Sequence, residues 1–292
     1  MKETEICFLN NSKTLEELLK TELFLSRSFI KKYLTKKQLS LIPKKGQSIR
    51  LPIELLNHRL VNPVYTNSDI PILFEDDKFL VFNKPAHVHG HPLSYDETDT
   101  VLNFSRSYLN SLFLGLPSSN QERGLLYRLD EVTSGVLIYV KDEKVHEKLR
   151  GEFSSCVKEK VYLAIVHGEI AEHGEIRHFF QSAGERGRRR VLSESGEGEF
   201  GELRFERLKY IEQKKISVVK VYLKQGVRHQ IRAQLAAIHH PILGDELYGG
   251  EKSERVFLHA LKYSFDFEGR PQTFVATNAD LFDDFLDLNT CI

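Results

Sequence analysis

The sequence has few of the residues that build disulfide frameworks or zinc sites. Its three cysteines, Cys7, Cys156 and Cys291, are widely separated, and no two have the spacing of a zinc motif. It has no run of about eighteen apolar residues, so a transmembrane helix is not expected. The first residues, MKETEICFLNNSK, are too polar for a secretory signal. These absences favour a cytoplasmic protein with no membrane partner.

Glycine-rich nucleotide-binding motifs are also missing. Neither GxGxxG nor GxxxxGK[ST] occurs, so nothing supports a nucleotide cofactor. His87, His89 and His91 alternate in a segment rich in glycine and proline that brings no carboxylate partner, which favours a loop over a metal site. We therefore expect no cofactor and no metal.

The net charge is zero, with 41 basic and 41 acidic residues, but the charges are unevenly distributed. Residues 24–50 contain eight basic side chains and no acid, whereas residues 266–287 contain six acids and one arginine. Phosphate binding depends on local charge, so the basic segment indicates an RNA contact, with a solvated helix face as the alternative. The side chains that we assign to this contact are Arg27, Lys31, Lys32 and Lys36.

A second basic cluster, GERGRRR, occupies residues 184–190. It is either an exposed loop balanced by the acids that follow it or a set of phosphate clamps, and the residues alone leave both open. Arg188 and Arg190 are the candidate phosphate ligands in the second case.

The periodicity predicts an α+β protein. Leucines at helical spacing predict helices over 13–37, and the stretch SFIKKYLTKK is expected to be one helix capped by Ser26 or Ser28. Two strands joined by an acidic turn are predicted in ILFEDDKFLVFNKPA, and many later strands have antiparallel neighbours. We predict a small basic RNA-binding region over 1–55, a proline-containing linker over 56–70 and a large domain over 71–292, with a mixed, largely antiparallel sheet.

The segment GLLYRLDEVTSG, residues 124–135, contains the main candidate for chemistry. LLYRLD is predicted as a strand that ends near Asp130, with Arg128 two residues before the aspartate. A carboxylate beside a guanidinium keeps its charge, so it acts as a base or nucleophile and not as a general acid. A structural Asp–Arg pair at a strand end is the alternative, and these residues alone do not exclude it.

Several ordered motifs resemble the RluA-type pseudouridine synthases. YRLDEVTSG is similar to the HRLD-x-x-TSG signature, KEKVYLAIVHG to K-x-Y-x-A-x-V-x-G, and HQIRAQLAAIHHPILGDELYGG to HQIR…HP-x-x-GD-x-x-YG. PILFEDDKFLVFNKPA and FLHALKYSF resemble the opening strands and the closing LHA motif, so the resemblance spans roughly 70–268. The basic N-terminal region is similar to the small α-L RNA-binding domain, with a shortened second half.

The resemblance implies an RNA-modifying isomerase that needs no cofactor, metal or energy source. Asp130 takes the position of the nucleophile that attacks the target uridine, and Tyr162 that of the aromatic residue stacking on its base. Arg128 is placed to contact RNA where the flipped base leaves its stack. A monomer acting on structured ribosomal or transfer RNA is expected.

Two positions depart from the family pattern. Tyr127 replaces the histidine of HRLD. The pattern G-R-x-HQIR reads GVRHQIR here, so Val227 occupies the arginine position and Arg228 lies one residue later. We expect a local adjustment to bring Arg228 to Asp130 as the third catalytic residue, because a buried aspartate without a partner is costly.

Two other functions remain open at this point. One is an RNA-binding or folding factor that has lost its chemistry through the Val227 change. The other is a hydrolase with an aspartate nucleophile, which needs a second base such as His229. An Asp130–Arg228 contact would favour the isomerase, and an Arg228 turned to solvent would favour the binding factor.

Overall fold

The computed structural model describes most of the chain, in two compact units. The described residues are 3–8, 13–21, 23, 25–56, 62, 64–109, 123–152, 156–183, 188–191, 198–223 and 226–276. The first unit comprises Met1–Asp69, His91–Leu125 and Lys141–Glu143, and the second comprises Ile70–Gly90, Leu126–Val140 and Lys144–Ile292. The boundaries proposed from sequence at 55 and 70 stay a prediction. The acidic residues after 276 and most of the GERGRRR cluster lie outside the described residues.

The first unit is built on a two-stranded antiparallel ribbon and short helices. Strands β1 (Glu3–Phe8) and β2 (Gln47–Pro52) pair with Ile6 opposite Ile49. The helices are α1 (Leu15–Thr21), α2 (Arg27–Ile30), α3 (Lys36–Leu39) and α4 (Val101–Leu109). The apolar residues at helical spacing form the core, because one side of each short helix must leave water for the unit to fold. Its fully buried members include Leu15, Leu19, Ile30, Leu51 and Leu55.

The stretch SFIKKYLTKK forms two helices and not the single one that we predicted. Ser26 caps α2 by accepting from the Phe29 backbone N–H, as expected. Thr35 then starts α3 with a capping box to Gln38, whose side chain returns to the Thr35 backbone N–H. The capping box starts a new helix at Thr35. The apolar periodicity continues across this break, so it predicted one helix where there are two.

The second unit contains a ten-stranded sheet. Its path runs β3-β4-β5-β11-β6-β10-β9-β7-β8, and β12 pairs with β11. The strands are β3 (Ile72–Glu75), β4 (Phe79–Lys84), β5 (Ser134–Val140), β6 (Val157–His167), β7 (His173–Ala183), β8 (Arg188–Val191), β9 (Glu199–Ile211), β10 (Ile216–Leu223), β11 (Leu258–Phe267) and β12 (Arg270–Val275).

Only the β5–β11 pair is parallel among the strand pairs of the described residues. The predicted α+β fold with a mixed, largely antiparallel sheet is therefore confirmed. At the parallel pair the two backbones come very close: Gly135 has a φ of 112°, and a Cβ there would clash with the backbone of Ala260. A glycine is required at this position of the TSG motif.

Segment 126–133 is irregular, so the predicted LLYRLD strand is wrong. Leu126 N–H donates to Ile138 O at 3.0 Å, but the chain then leaves the sheet. Two of its later backbone groups bond within the segment or to a side chain: Thr133 N–H donates to Asp130 O at 3.1 Å, and Glu131 O accepts from the Lys84 ammonium. Hydrophobic alternation cannot reveal that local turns have taken the place of a strand ladder.

Two further helices accompany the sheet. Helix α5 (Glu143–Gly151) buries Leu149, and α6 (Gln230–Ala237) buries Ile231 and Leu235 against Tyr162 and its strand neighbours. Helix α6 ends at Ala237, four residues before Pro241. Across the described segments, no helix is long and apolar enough to cross a membrane.

Candidate active site

A buried lysine holds the turn that carries Asp130 through hydrogen bonds to backbone carbonyls. Lys84, at the end of β4, is fully buried and donates to the carbonyls of Pro85, Val88 and Glu131 at 2.8, 2.7 and 3.0 Å. Burial lowers the pKa of Lys84 to about 7, opposed by the charges of Asp130 and Glu131. Three acceptors match the three donors of an ammonium, so the lysine satisfies carbonyls that sheet pairing leaves open.

The other end of the turn is held by a chain of side-chain hydrogen bonds. His259 Nε2 lies 2.9 Å from Ala276 O, to which it donates, so its Nδ1 is left as an acceptor. The Ser134 hydroxyl, 2.7 Å away, donates to that nitrogen and itself accepts from Arg255 Nη2 at 2.8 Å. Burial, together with the nearby Arg255 charge, lowers the pKa of His259 to about 4. The TSG and LHA motifs therefore meet in one buried contact between a serine and a neutral histidine.

Asp130 is paired with Arg232 of α6. Arg232 Nη1 donates to Asp130 Oδ2 at 3.0 Å, while its Nε and Nη2 bind the buried carboxylate of Asp245 at 2.7 and 2.8 Å. Burial acts to lower the pKa of Arg232, but the hydrogen bonds and charges of Asp245 and Asp130 outweigh it and raise the pKa above its usual value. One guanidinium fork thus spans two carboxylates, a geometry that lysine cannot reproduce.

The GDELYGG segment provides the other contacts of Arg232. Its Asp245 provides the bidentate contact, and the Arg232 guanidinium lies 5.3 Å from the centre of the Tyr248 ring. A Cβ at Gly250 would clash with Ile242 O, so this tight turn requires glycine there. The motif therefore encodes the segment that holds the arginine in place.

The prediction that Arg228 pairs with Asp130 is wrong. Arg228 is exposed in the turn before α6, whereas Arg232, one helical turn further on, is buried and contacts Asp130. Val227 is buried beside Phe180, Ala233 and Tyr248 and leaves no charge unpaired. Arg228 precedes the left-handed residue His229 and lies outside the helix, whereas Arg232 lies within α6, in its buried stretch.

Tyr162 of β6 lies beside this pair on the face covered by α6. It is 8% exposed, and burial with the nearby Asp130 charge raises its pKa. Tyr127 stacks on Tyr263 with ring centres 4.2 Å apart and planes 8° apart, and its hydroxyl donates to Val136 O at 2.7 Å. The tyrosine in place of the family's histidine thus has its own buried partner.

Five of the remaining predicted site residues are exposed. Arg128 is exposed two residues before Asp130, and Lys31, Lys32 and Lys36 are exposed on the first unit. Arg27 is exposed too, but it pairs with Glu16 at 2.7 Å. The side chains of Arg188 and Arg190 lie outside the described residues, and their backbone forms part of β8.

Four residues of the site were not predicted from the sequence: Lys84, Arg232, Asp245 and Tyr248. A usable signal existed for Arg232, since a charged residue among Ile231, Ala233 and Leu235 on a short helix requires a buried partner. In the described ranges, no three His, Cys, Asp or Glu side chains come together as a ligand group.

Comparison with known proteins identifies the family. The profile of the family described as RNA pseudouridylate synthase matches residues 78–237, more than half of the chain, including the Asp130 turn and all of α6. The chain belongs to the RNA pseudouridylate synthase family. As a member it is an RNA-modifying isomerase, and the family indicated by the motifs is confirmed.

Several RNA pseudouridine synthases align with most of the chain. YhcT of Bacillus subtilis, an uncharacterized RNA pseudouridine synthase, is 29% identical over 258 residues, which cover 84% of this chain and 82% of YhcT. An uncharacterized RNA pseudouridine synthase of Helicobacter pylori is 34% identical, with coverage of 68% and 73%. Ribosomal large subunit pseudouridine synthase D of Borreliella burgdorferi is 31% identical over 69% of this chain and 62% of its own length.

A solved structure supports the same fold. The human RNA pseudouridylate synthase domain containing 1 superposes with a TM-score of 0.61, at 21% identity, over 75% of this chain and 89% of the human one.

Proposed function

We propose that this pseudouridine synthase isomerises specific uridines in structured ribosomal or transfer RNA, with Asp130 as the nucleophile. The observation that carries the proposal is the 3.0 Å contact between Arg232 Nη1 and Asp130 Oδ2. It fixes one carboxylate oxygen and leaves Oδ1 for attack on the uridine. The exposed Arg228 alone would have favoured a non-catalytic RNA-binding factor, but Arg232 supplies the guanidinium in its place.

The reaction adds and removes no atoms. The N1–C1′ bond breaks, the uracil turns while it is held, and a C5–C1′ bond replaces the first one. N1 gains a proton and C5 loses one, so neither a cofactor nor an energy source is needed. In this proposal Asp130 bonds transiently to the uridine, Tyr162 stacks on the flipped base, and Arg128 contacts the RNA it leaves.

The names of several relatives favour ribosomal RNA as the first substrate to test. Ribosomal large subunit pseudouridine synthase D proteins of three bacteria match the chain at 28–31% identity. The exposed lysines of the first unit support a phosphate contact outside the active site. We propose that the protein acts as a monomer in the cytoplasm, with residues 1–55 as an RNA-binding region.

The test is a pseudouridine map of unmodified ribosomal and transfer RNA after incubation with purified protein. Wild type, Asp130→Asn and Arg228→Ala are compared, with RNA affinity measured for each. We expect defined new sites with wild type and Arg228→Ala, and none with Asp130→Asn at unchanged affinity. Turnover by Asp130→Asn would refute the nucleophile assignment. Binding by wild type without any new site would favour the RNA-binding factor.

A further inference from the structure

His229 has a left-handed backbone conformation directly before α6. It precedes α6 with a φ of 56°, in the left-handed region that non-glycine residues rarely adopt. Its side chain accepts no capping bond from the helix, so local hydrogen bonding does not explain the strain. Such strain persists where the surrounding structure holds a side chain for another purpose.

The imidazole of His229 bridges Tyr248 and Asp130. Its Nδ1 lies 3.0 Å from the Tyr248 hydroxyl, and its Nε2 lies 3.7 Å from Asp130 Oδ1. Oδ1 is the oxygen to which Arg232 does not bond. The two aromatic rings meet edge to face, with centres 5.8 Å apart, so the ring plane of His229 is fixed as well.

The contacts select one neutral tautomer. If Nδ1 carried the proton, the lone pair of Nε2 would point toward a carboxylate, which is unfavourable. If the Tyr248 hydroxyl donates to Nδ1, the proton is on Nε2 and points toward Asp130 Oδ1. Tyr248 therefore fixes the tautomer that presents an N–H to the nucleophile.

The charged groups around His229 disfavour the imidazolium overall. Burial lowers the pKa of His229, the Asp130 charge opposes this, and two arginines add to it. The titratable and charged groups that face the ring are Asp130, Arg228, Arg232, Asp245 and Tyr248. A neutral donor follows, which orients a carboxylate without neutralising it.

We propose that His229 is a positioning residue whose neutral Nε2–H, set by the Tyr248 hydroxyl, orients Oδ1 of Asp130 for attack. The proposal rests on the proposed role of Asp130 as the nucleophile. The 3.7 Å separation is longer than a hydrogen bond, and contacts of this kind shorten when substrate closes the site. Arg232 on Oδ2 and His229 on Oδ1 together define the direction of the reactive lone pair.

The kinetic test uses His229→Ala and His229→Gln under single-turnover conditions. His229→Ala should lower the maximal rate about 10- to 100-fold at unchanged RNA affinity, the effect of a misplaced reacting group. His229→Gln should recover most of the loss, because its amide offers a neutral donor. The acidic limb of the rate–pH profile should change in His229→Gln, since the amide does not titrate. Equal rates for wild type and His229→Ala, or a loss in affinity alone, would overturn the proposal.

The tautomer test does not depend on turnover. In protein labelled with ¹⁵N-histidine, the His229 signals, assigned by their loss in His229→Gln, should show protonated Nε2 and unprotonated Nδ1. Tyr248→Phe should shift His229 toward a tautomer mixture while the other signals report an intact fold. Protonated Nδ1 in the wild type would refute the positioning role. If the tautomer is as expected but no RNA is modified, the proposed function fails and not the tautomer assignment.

Discussion

Replacing His259 should remove part of the acid sensitivity of the fold. Burial holds the pKa of His259 at about 4, against an ordinary value of 6.5. As the pH falls below 6.5, the unfolded chain takes up a proton that the folded protein does not bind, so stability present above that pH is progressively lost down to about pH 4. At about 1.4 kcal/mol per pKa unit the full loss is about 3 kcal/mol, of which about 2 kcal/mol has occurred by pH 5.

Urea unfolding between neutral pH and about pH 5 measures this effect. His259→Gln keeps a donor for Ala276 O but does not titrate, so its free energy of unfolding should fall by about 2 kcal/mol less than that of wild type over this range. Ser134→Ala is the matched control, because it removes the hydroxyl donor and leaves the imidazole in place. It should lower stability at every pH and retain the dependence. Parallel curves for wild type and His259→Gln would refute the buried neutral histidine.

Three further changes probe the site and the basic surface. Arg232→Lys should lower the single-turnover rate about 100-fold at unchanged RNA affinity, because a point charge cannot span Asp130 and Asp245; a near-normal rate would exclude the two-carboxylate role. Asp245→Asn should cost about 3–5 kcal/mol in urea unfolding, since it leaves a buried cation poorly paired, and a cost below about 1 kcal/mol would contradict this account. Replacing Lys31, Lys32 and Lys36 with glutamine should reduce the slope of log affinity against log salt by about one for each RNA phosphate that these lysines neutralise; an unchanged slope would remove this surface from the RNA interface.

The ordered motifs predicted the family, and periodicity predicted most strands. Strand β4 is buried along its whole length, as the apolar run FLVF indicated. The secondary-structure prediction was wrong where local hydrogen bonding overrides hydrophobic periodicity. The irregular 126–133 segment has an apolar pattern compatible with a strand, but the Lys84 ammonium and the Asp130–Thr133 turn take up its backbone groups.

The error at Arg228 has the same origin. The comparison of motifs along the chain shifted the family arginine by one residue and relied on a local adjustment of the backbone to bring Arg228 to Asp130. In the structure His229 is left-handed and α6 begins at the next residue, so Arg228 lies before the helix. Arg232 lies within the helix and contacts Asp130. Tertiary partners such as Asp245, thirteen residues further along, carry no local signal at all.

The second carboxylate on Arg232 has a consequence for the charge balance of a reaction cycle. In the proposed mechanism Asp130 loses its negative charge when it bonds to substrate, and a buried arginine with no other partner would then be an isolated cation. Asp245, 1% exposed and bound through two hydrogen bonds, keeps Arg232 neutralised during that interval. In that mechanism the fold lets Asp130 give up its charge without the energetic cost of an isolated buried ion.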